Sequence, residues 1–183
     1  MTTTRELRDR IIEGVLAREG GYVDDPDDSG GETNHGITVA VARAFGYTGS
    51  MRSMPRDVAR RIYVERYWQA LAGDTLEALS ATLAEEVVDA GVNCGVARAG
   101  AWLQRALNVL NRGGTLYADL VVDGAVGRMT AGALREYATS GRDPAALVRA
   151  VDSLQGAFYV ELAERREKDE RFVYGWLLQR TRP

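Results

Sequence analysis

The chain has 183 residues, a hydrophobic fraction of 45% and a formal net charge of −3, which suits one soluble globular domain or two small ones. The slight negative charge argues against nucleic acid as a partner, because neutralising phosphates requires a cationic face. With one cysteine and one histidine, the sequence offers neither a disulfide framework nor the ligands of a structural zinc site.

The first predicted element is an N-terminal helix. It is expected to start at the capping box Thr3-x-x-Glu6 and to stop at the glycine pair 20–21. Residues 20–36 are predicted to form a loop with room for a short hairpin, because glycine and aspartate clusters break both regular periods. A short helix is predicted around Val39–Phe45.

Amphipathic patterns predict helices for most of the remaining chain. Pro55 is placed as the first residue of a helix over PRDVARRIYVERYWQAL, and Asp143-Pro144 start a long helix that ends near Lys168. The other predicted helices are Thr82–Val92, Ala97–Leu110, one near Thr130–Tyr137, and Phe172–Leu178. No linker or repeat separates these pieces, so the expected fold class is mainly α, packed as one body.

Several residues are interpreted as having structural roles rather than functional ones. Val58, Ile62 and Tyr63 are predicted to face inward on their helix. Cys94 lies among apolar and small residues and is interpreted as a buried packing thiol. Trp102 and Trp176 are assigned to the core. Asp123-Gly124 predict a turn, and the alternative interpretation is a contact with a ligand.

The segment REGGYVDDPDDSGGETNHGIT, residues 18–38, concentrates glycine and acidic residues. Asp25, Asp27 and Ser29 follow the start of a calcium loop, but such a loop needs a glutamate at its twelfth position, which here is Gly36. We therefore expect no metal ion, and no other cofactor, to be required.

A catalytic interpretation of the same loop starts from Glu19. The negative end of the helix dipole, with partial burial, would raise the pKa of its carboxyl, and a glycosidase needs a protonated carboxylic acid for the leaving oxygen. Asp28 follows nine residues later, so the loop could place a second carboxylate across a cleft, with Thr33 holding a water. Tyr22 offers an apolar face to a sugar ring. Spacing alone is equally consistent with a solvated acidic loop.

The stretch EGGYVDDPDDSGGETNHGIT resembles the signature of glycoside hydrolase family 108, lysozyme-like N-acetylmuramidases of bacteria and their phages. RIYVERYWQALAGDTL resembles a second segment of that family. Three further segments resemble the predicted peptidoglycan-binding module that accompanies it: VVDAGVNCGVARAGAWLQRALN, VDGAVGRMTAGAL and FVYGWLLQR. The resemblance implies a lysozyme-like helical bundle with a short loop or β-hairpin after the catalytic helix. It implies a hydrolase module over residues 5–93 and a peptidoglycan-binding helical module over 94–182, packed as one globular body.

The activity that the resemblance implies is that of an endolysin-type muramidase. It would hydrolyse the β-1,4 bond between N-acetylmuramic acid and N-acetylglucosamine in peptidoglycan. Glu19 would be the general acid, and Asp28 with Thr33 would position water or stabilise the positive sugar. His35 is interpreted as a loop residue or a substrate contact.

Candidate substrate-binding residues are Tyr22, Tyr67, Trp68 and Asn93. The aromatic rings at helical spacing, Tyr63 included, are also consistent with core positions. Asn93 either contacts a sugar N-acetyl group or caps a helix.

Two other classes of function remain open: a non-catalytic cell-wall-binding or secretion-associated protein that keeps the lysozyme-like fold, and a calcium-dependent binding module. MTTTRELRDRIIEGVLAREGG lacks the uninterrupted apolar core of a signal peptide, and no run approaches the ~20 apolar residues of a membrane span. We therefore expect a monomer made in the cytoplasm, without membrane insertion. Its partners would be peptidoglycan glycan strands and a pore such as a phage holin for release to the wall.

Overall fold

The computed structural model describes residues 4–18, 20–24 and 31–181. Strands β1 (Thr33–Asn34) and β2 (Ile37–Thr38) form an antiparallel hairpin. Apart from an isolated bridge between Val23 and Thr33, the remaining regular structure in these ranges is helical, so the fold class is mainly α, as predicted. The α-helices in the described part are α1 (Thr4–Arg18), α2 (Val39–Ala44), α3 (Arg56–Tyr63), α4 (Gly73–Leu79), α5 (Ala81–Cys94), α6 (Val96–Leu110), α7 (Arg128–Thr139), α8 (Ala145–Arg165) and α9 (Glu170–Arg180).

The predicted helices differ from the observed ones mainly at their ends. Pro55 is the N-cap of α3 and Pro144 the N-cap of α8, each one position before the helix that it was expected to open. The long helix α8 ends at Arg165, and a 3₁₀ turn over Glu167–Asp169 leads into α9. The capping box at Thr3 lies outside the described residues. None of the described helices combines the length and apolarity that a membrane span requires.

The segment between α3 and α5 differs from the single helix predicted there. After Tyr63 the helix widens into a π-helical segment, Val64–Gln69, in which each N–H bonds five residues back. α4 is then a separate helix that the sequence analysis missed. Its N-cap Ala72 has the left-handed angles φ 53 and ψ 44, a conformation that a residue with a Cβ seldom adopts.

The chain divides into two compact units, the first within residues 1–69 and the second within residues 70–183. The first contains α1, the hairpin, α2, α3 and the π-helical segment. Val58, Ile62 and Tyr63 are buried there, as predicted. Other large core side chains of this unit are Leu7, Ile12, Leu16, Met51 and Trp68.

In the second unit, α5, α6 and α8 pack on one another, and α4 and α7 pack together beside them. Its fully buried side chains include Leu83, Leu103, Leu107, Leu134 and Tyr137. Cys94 is buried, as predicted, and its thiol donates to Tyr159 Oη at 3.5 Å. Trp102 is in the core as expected, whereas Trp176 remains partly exposed beside Tyr159 and Phe172. The proposed module boundary at residues 93 and 94 stays a prediction.

Candidate functional site

The hairpin that carries Thr33 turns through two residues with positive φ. The φ angles are 50 at His35 and 70 at Gly36, as in a type I′ turn, whose twist matches that of the flanking strands. Thr33 pairs with Thr38 across the hairpin. The carbonyl oxygen of His35 accepts a hydrogen bond of 3.0 Å from Tyr63 Oη, so the turn is tied to the C-terminal end of α3.

A buried amide fixes the other side of this hairpin. Asn34 is 5% exposed, and its Nδ2 donates to the carbonyl oxygen of Met51 at 2.7 Å. Buried polar groups are expensive unless they are paired. The bond therefore specifies how the hairpin seats on the 3₁₀ turn Met51–Ser53.

Asn34→Ala is expected to destabilise the chain by about 1–3 kcal/mol, because the buried 2.7 Å bond to the Met51 carbonyl is lost and that oxygen keeps the longer bond from Met54 N, 3.2 Å. Urea unfolding measures the change. Asn93→Ala is the matched control: Asn93 is exposed, so water replaces its lost bonds and the cost should stay within about 0.5 kcal/mol. Equal losses in the two variants would contradict the structural role of Asn34.

Tyr22 is held by carboxylates from both ends of the acidic loop. The backbones of Val23 and Thr33 form an antiparallel bridge with two N–H···O bonds of 2.8 Å. This bridge sets Tyr22 beside Glu32, and the phenol donates to Glu32 Oε1 at 2.7 Å, with Asp24 Oδ2 at 3.2 Å. The hydrogen bond to Glu32, with smaller contributions from burial and from the charge of Asp24, raises the pKa of Tyr22 to about 12.

One face of the Tyr22 ring is occupied by a cation. The Arg52 guanidinium carbon lies 4.4 Å from the ring centroid, a cation–π distance. A sugar could therefore stack only on the opposite face. The sequence analysis missed both Glu32 and Arg52. Glu32 lies inside the glycine-rich motif and could have been considered, but Arg52 is 30 positions from Tyr22 and carries no local signal.

An ultraviolet titration tests this arrangement. Subtracting the titration curve of Tyr22→Phe from that of the wild type should isolate one phenol with a midpoint near 12 rather than the ordinary 10.0. Since the folded pKa is the higher one, the neutral phenol favours folding up to the unfolded pKa, and that contribution is lost as pH rises through the folded value. Glu32→Gln should lower the midpoint. A wild-type midpoint at the ordinary value would contradict the hydrogen bond to Glu32.

The two predicted catalytic carboxylates, Glu19 and Asp28, lie outside the described residues, as do Asp25 and Asp27 of the calcium alternative. Within the described ranges no group of three or more His, Cys, Asp or Glu side chains is placed to hold a metal ion. Thr33 is partly exposed, and its hydroxyl lies 3.4 Å from a backbone carbonyl oxygen, that of Gly31, the one hydrogen-bond contact that it makes with residues 4–18, 20–24 and 31–181.

The helix before Glu19 is anchored to α3 by charge pairs. Arg56 Nη2 lies 2.7 Å from Glu13 Oε2, and Arg60 pairs with Asp9 and, at 3.8 Å, with Glu13. These side chains are partly exposed, so each pair contributes little stability. Their effect is to fix the direction of α1, whose last residue is Arg18.

The remaining candidate substrate contacts have different surroundings. Tyr67 is partly exposed and stacks on Tyr63 at 5.3 Å between ring centroids. Trp68 is 1% exposed, the core position considered as its alternative. Asn93 belongs to the second unit and donates to Asp89 Oδ2 at 2.7 Å and to the Asp89 carbonyl oxygen at 2.8 Å, within its own helix. The substrate-binding roles of these residues stay predictions.

In the second unit, the VDGAVGRMT motif, residues 122–130, wraps around one buried glutamine. Gln104 is 2% exposed. Its Nε2 donates to Asp123 Oδ1 at 2.8 Å and its Oε1 accepts from Gly124 N at 2.8 Å. Thr130 Oγ1 lies 3.3 Å from the same Nε2. The hydrogen bond from Gln104 is the main cause that lowers the pKa of Asp123. The motif therefore has a structural role of its own.

Two further side-chain amides also bind this segment: Asn108, one turn after Gln104 on α6, and Asn111, the C-cap residue of that helix. Asn108 bonds both the N–H and the carbonyl of Leu120, at 2.8 and 2.9 Å. Asn111 donates to Asp119 Oδ1 at 2.6 Å and accepts from Gly114 N at 2.9 Å. We call Gln104, Asn108 and Asn111 the amide row. It holds the irregular segment 111–127 against α6.

Gly124 lets this segment approach α6 at backbone distance. Its φ is 77, and a Cβ built on it would overlap the carbonyl oxygen of Ala97. Gly100 on α6 faces the Gly124 carbonyl in the same way. The predicted turn at Asp123-Gly124 is present, and glycine is required there for both its φ and its closeness to the helix.

Residues 12–95 match the family model described as Glycosyl hydrolase 108. Residues 98–181 match the model described as Predicted Peptidoglycan domain, which confirms both resemblances seen in the sequence. The family 108 match contains α4 and α5, although these helices lie in the second compact unit. A glycosyl hydrolase 108 stretch followed by a peptidoglycan domain gives the chain a lysozyme-like function at the bacterial cell wall.

The fold is shared with solved structures. Eleven chains match, among them SagA of Brucella abortus, with 25% sequence identity, 98% coverage of each chain and a TM-score of 0.60. A search of curated proteins finds no match. The likeness to SagA thus spans the family 108 stretch and the peptidoglycan domain together.

Proposed function

We propose that the chain is an N-acetylmuramidase that hydrolyses the β-1,4 bond between N-acetylmuramic acid and N-acetylglucosamine. The observation that carries the proposal is the family 108 match over residues 12–95, which includes the acidic loop that opens with Glu19. Release through a phage holin, action in the periplasm and a monomeric state stay predictions.

Glu19 is proposed as the general acid. It follows α1, a helix of 15 residues that ends at Arg18, and the last carbonyl groups of a helix point past its end without intrahelical partners. Their partial negative charge disfavours a second negative charge and so favours the protonated carboxyl. A protonated carboxyl next to the glycosidic oxygen can donate its proton as the bond to the sugar breaks.

Asp28 and Thr33 are proposed to act on the other side of the scissile bond. In sequence Asp28 lies between the bridged positions Val23 and Thr33. The Thr33 hydroxyl is partly exposed, and a hydroxyl group can both donate to and accept from a water. Asp28 would activate that water or stabilise the positive sugar. A carboxyl separation of about 6.5–9.5 Å would give inversion and about 5–5.5 Å retention.

The identity of the new chain end tests the proposal. Purified protein is incubated with isolated peptidoglycan, the products are reduced with borohydride, and the reduced sugars are identified by mass spectrometry. A muramidase leaves reduced muramic acid at the new ends. Reduced glucosamine would show cleavage of the other glycosidic bond, and non-reducing 1,6-anhydro ends would show cleavage without water. Either result would contradict the proposal.

The alternative of a non-catalytic wall-binding or secretion-associated protein gives a different result. Such a protein would sediment with peptidoglycan but release no new ends of any kind. The peptidoglycan domain over residues 98–181 predicts sedimentation under both hypotheses, so the release of ends is the discriminating measurement.

A further inference from the structure

A cavity of about 640 Å³ opens on the second unit, between the end of segment 111–127 and the first turn of α7. This volume is within the range of about 300–1,000 Å³ typical of small-molecule sites. All of its lining residues fall within the Predicted Peptidoglycan domain. Those whose chemistry bears on a ligand are Asp119, Val121, Asp123, Arg128 and Met129.

Two carboxylates in the cavity wall are held in place by the amide row. Asp119 Oδ1 accepts from Asn111 at 2.6 Å, and Asp123 Oδ1 accepts from Gln104 at 2.8 Å. The bonds from the amide row occupy Oδ1 of each carboxylate and leave Oδ2 outside them. An ammonium group entering the cavity would therefore meet charged acceptors that are already oriented, which reduces the entropy lost on binding.

The wall also presents a cation and apolar side chains. Arg128 is exposed and forms no ion pair within the described part of the chain, so its guanidinium is open to a ligand carboxylate, which it can bind through two parallel N–H···O bonds. Val121 and Met129 are 78% and 76% exposed. Such large exposed apolar side chains beside a cavity favour contact with methyl groups.

This combination fits a peptide better than a sugar. None of the described lining residues is aromatic, whereas sugar rings are usually held against aromatic faces. Peptidoglycan also contains short peptide stems, whose alanine methyl groups, carboxylates and diamino-acid ammonium match the cavity wall group by group. Resting on the proposed action on peptidoglycan, we propose that the cavity binds the peptide stem, with Asp119 and Asp123 taking the ammonium and Arg128 a carboxylate.

Calorimetric titration of the full-length protein with the free tripeptide L-alanyl-γ-D-glutamyl-meso-diaminopimelate tests the proposal. The tripeptide has no glycosidic bond, so binding is measured without turnover. Arg128→Gln and Asp119→Asn should each weaken binding about tenfold, the effect of losing one charged hydrogen bond. Arg105→Gln, which removes an exposed charge of α6 outside the cavity, should leave binding unchanged. Thermal melts of all variants check that they fold.

Binding that weakens in the two cavity variants but not in Arg105→Gln supports the inference, as does weaker binding of a tripeptide acetylated at its side-chain amine. Three results would overturn it: no binding of the tripeptide, equal binding by folded cavity variants, or binding only of stem-free N-acetylglucosamine oligomers. Muramic-acid ends released by a protein that does not bind the tripeptide would leave the proposed hydrolysis intact and reject only this cavity.

Discussion

Glu19→Gln is expected to lower the rate of release of reducing ends from peptidoglycan by about 10²- to 10⁴-fold, the usual contribution of a general acid. Glutamine keeps the size of the side chain but has no proton to give at this step. Sedimentation with peptidoglycan should be retained, because the change removes proton donation and leaves the peptidoglycan domain untouched. The measurement is the initial rate of new reducing ends at saturating peptidoglycan.

A matched control is Glu136→Gln, which makes the same chemical change at an exposed position of α7. Its activity should equal that of the wild type. If Glu19→Gln is folded and keeps full activity, Glu19 is not the acid and the proposed mechanism fails. A folded variant that is inactive yet binds the wall is the result that the proposal requires.

Gly124→Ala is expected to destabilise the second unit by on the order of 3 kcal/mol or more. The left-handed backbone costs an L-residue roughly 1–2 kcal/mol. The added methyl also overlaps the carbonyl of Ala97, which forces segment 111–127 away from α6 and strains its bonds to the amide row. Buried bonds that lengthen without finding water add their own penalty.

Gly141→Ala separates the two contributions. Gly141 has a φ of 72, close to that of Gly124, but a Cβ there meets nothing within 4 Å. Its cost should be only the backbone term, about 1–2 kcal/mol. Urea unfolding followed by circular dichroism compares the two variants. Equal losses would show that close approach to α6 is unimportant, and the role given to Gly124 would be wrong.

The sequence predicted most helices because their apolar periodicity and end signals are local. It could not predict the break after Tyr63, since nothing local in VERYWQ distinguishes a π-helical segment from an α-helix. α4 was missed for a related reason: its start depends on Ala72 in a left-handed conformation, which is set by tertiary packing. Proline end signals were correct to within one residue, the usual accuracy of helix bounds.

For the candidate site, the motif singled out the acidic loop but gave no signal for the contacts that its residues make. The hairpin signal at His35-Gly36 is local, so a short hairpin could be expected. The pairing of Tyr22 with Glu32 depends on the backbone bridge between Val23 and Thr33. The contact of Arg52 with the Tyr22 ring depends on how the 3₁₀ turn Met51–Ser53 packs against the hairpin. The amide row had a local signal, three amides at helical spacing in LQRALNVLN, that was interpreted only as part of a helix.

The amide row holds segment 111–127 through bonds in which the exposed side chains of Val121 and Val122 take no part. Its bonds run mainly to backbone atoms of Leu120, Gly124 and their neighbours, so they involve no side-chain atom of the exposed residues that follow Leu120. Val121 and Val122, which are exposed, can therefore be exchanged without loosening the segment. The second unit is in this respect a scaffold whose exposed loop positions can be substituted while the backbone of segment 111–127 stays attached to α6.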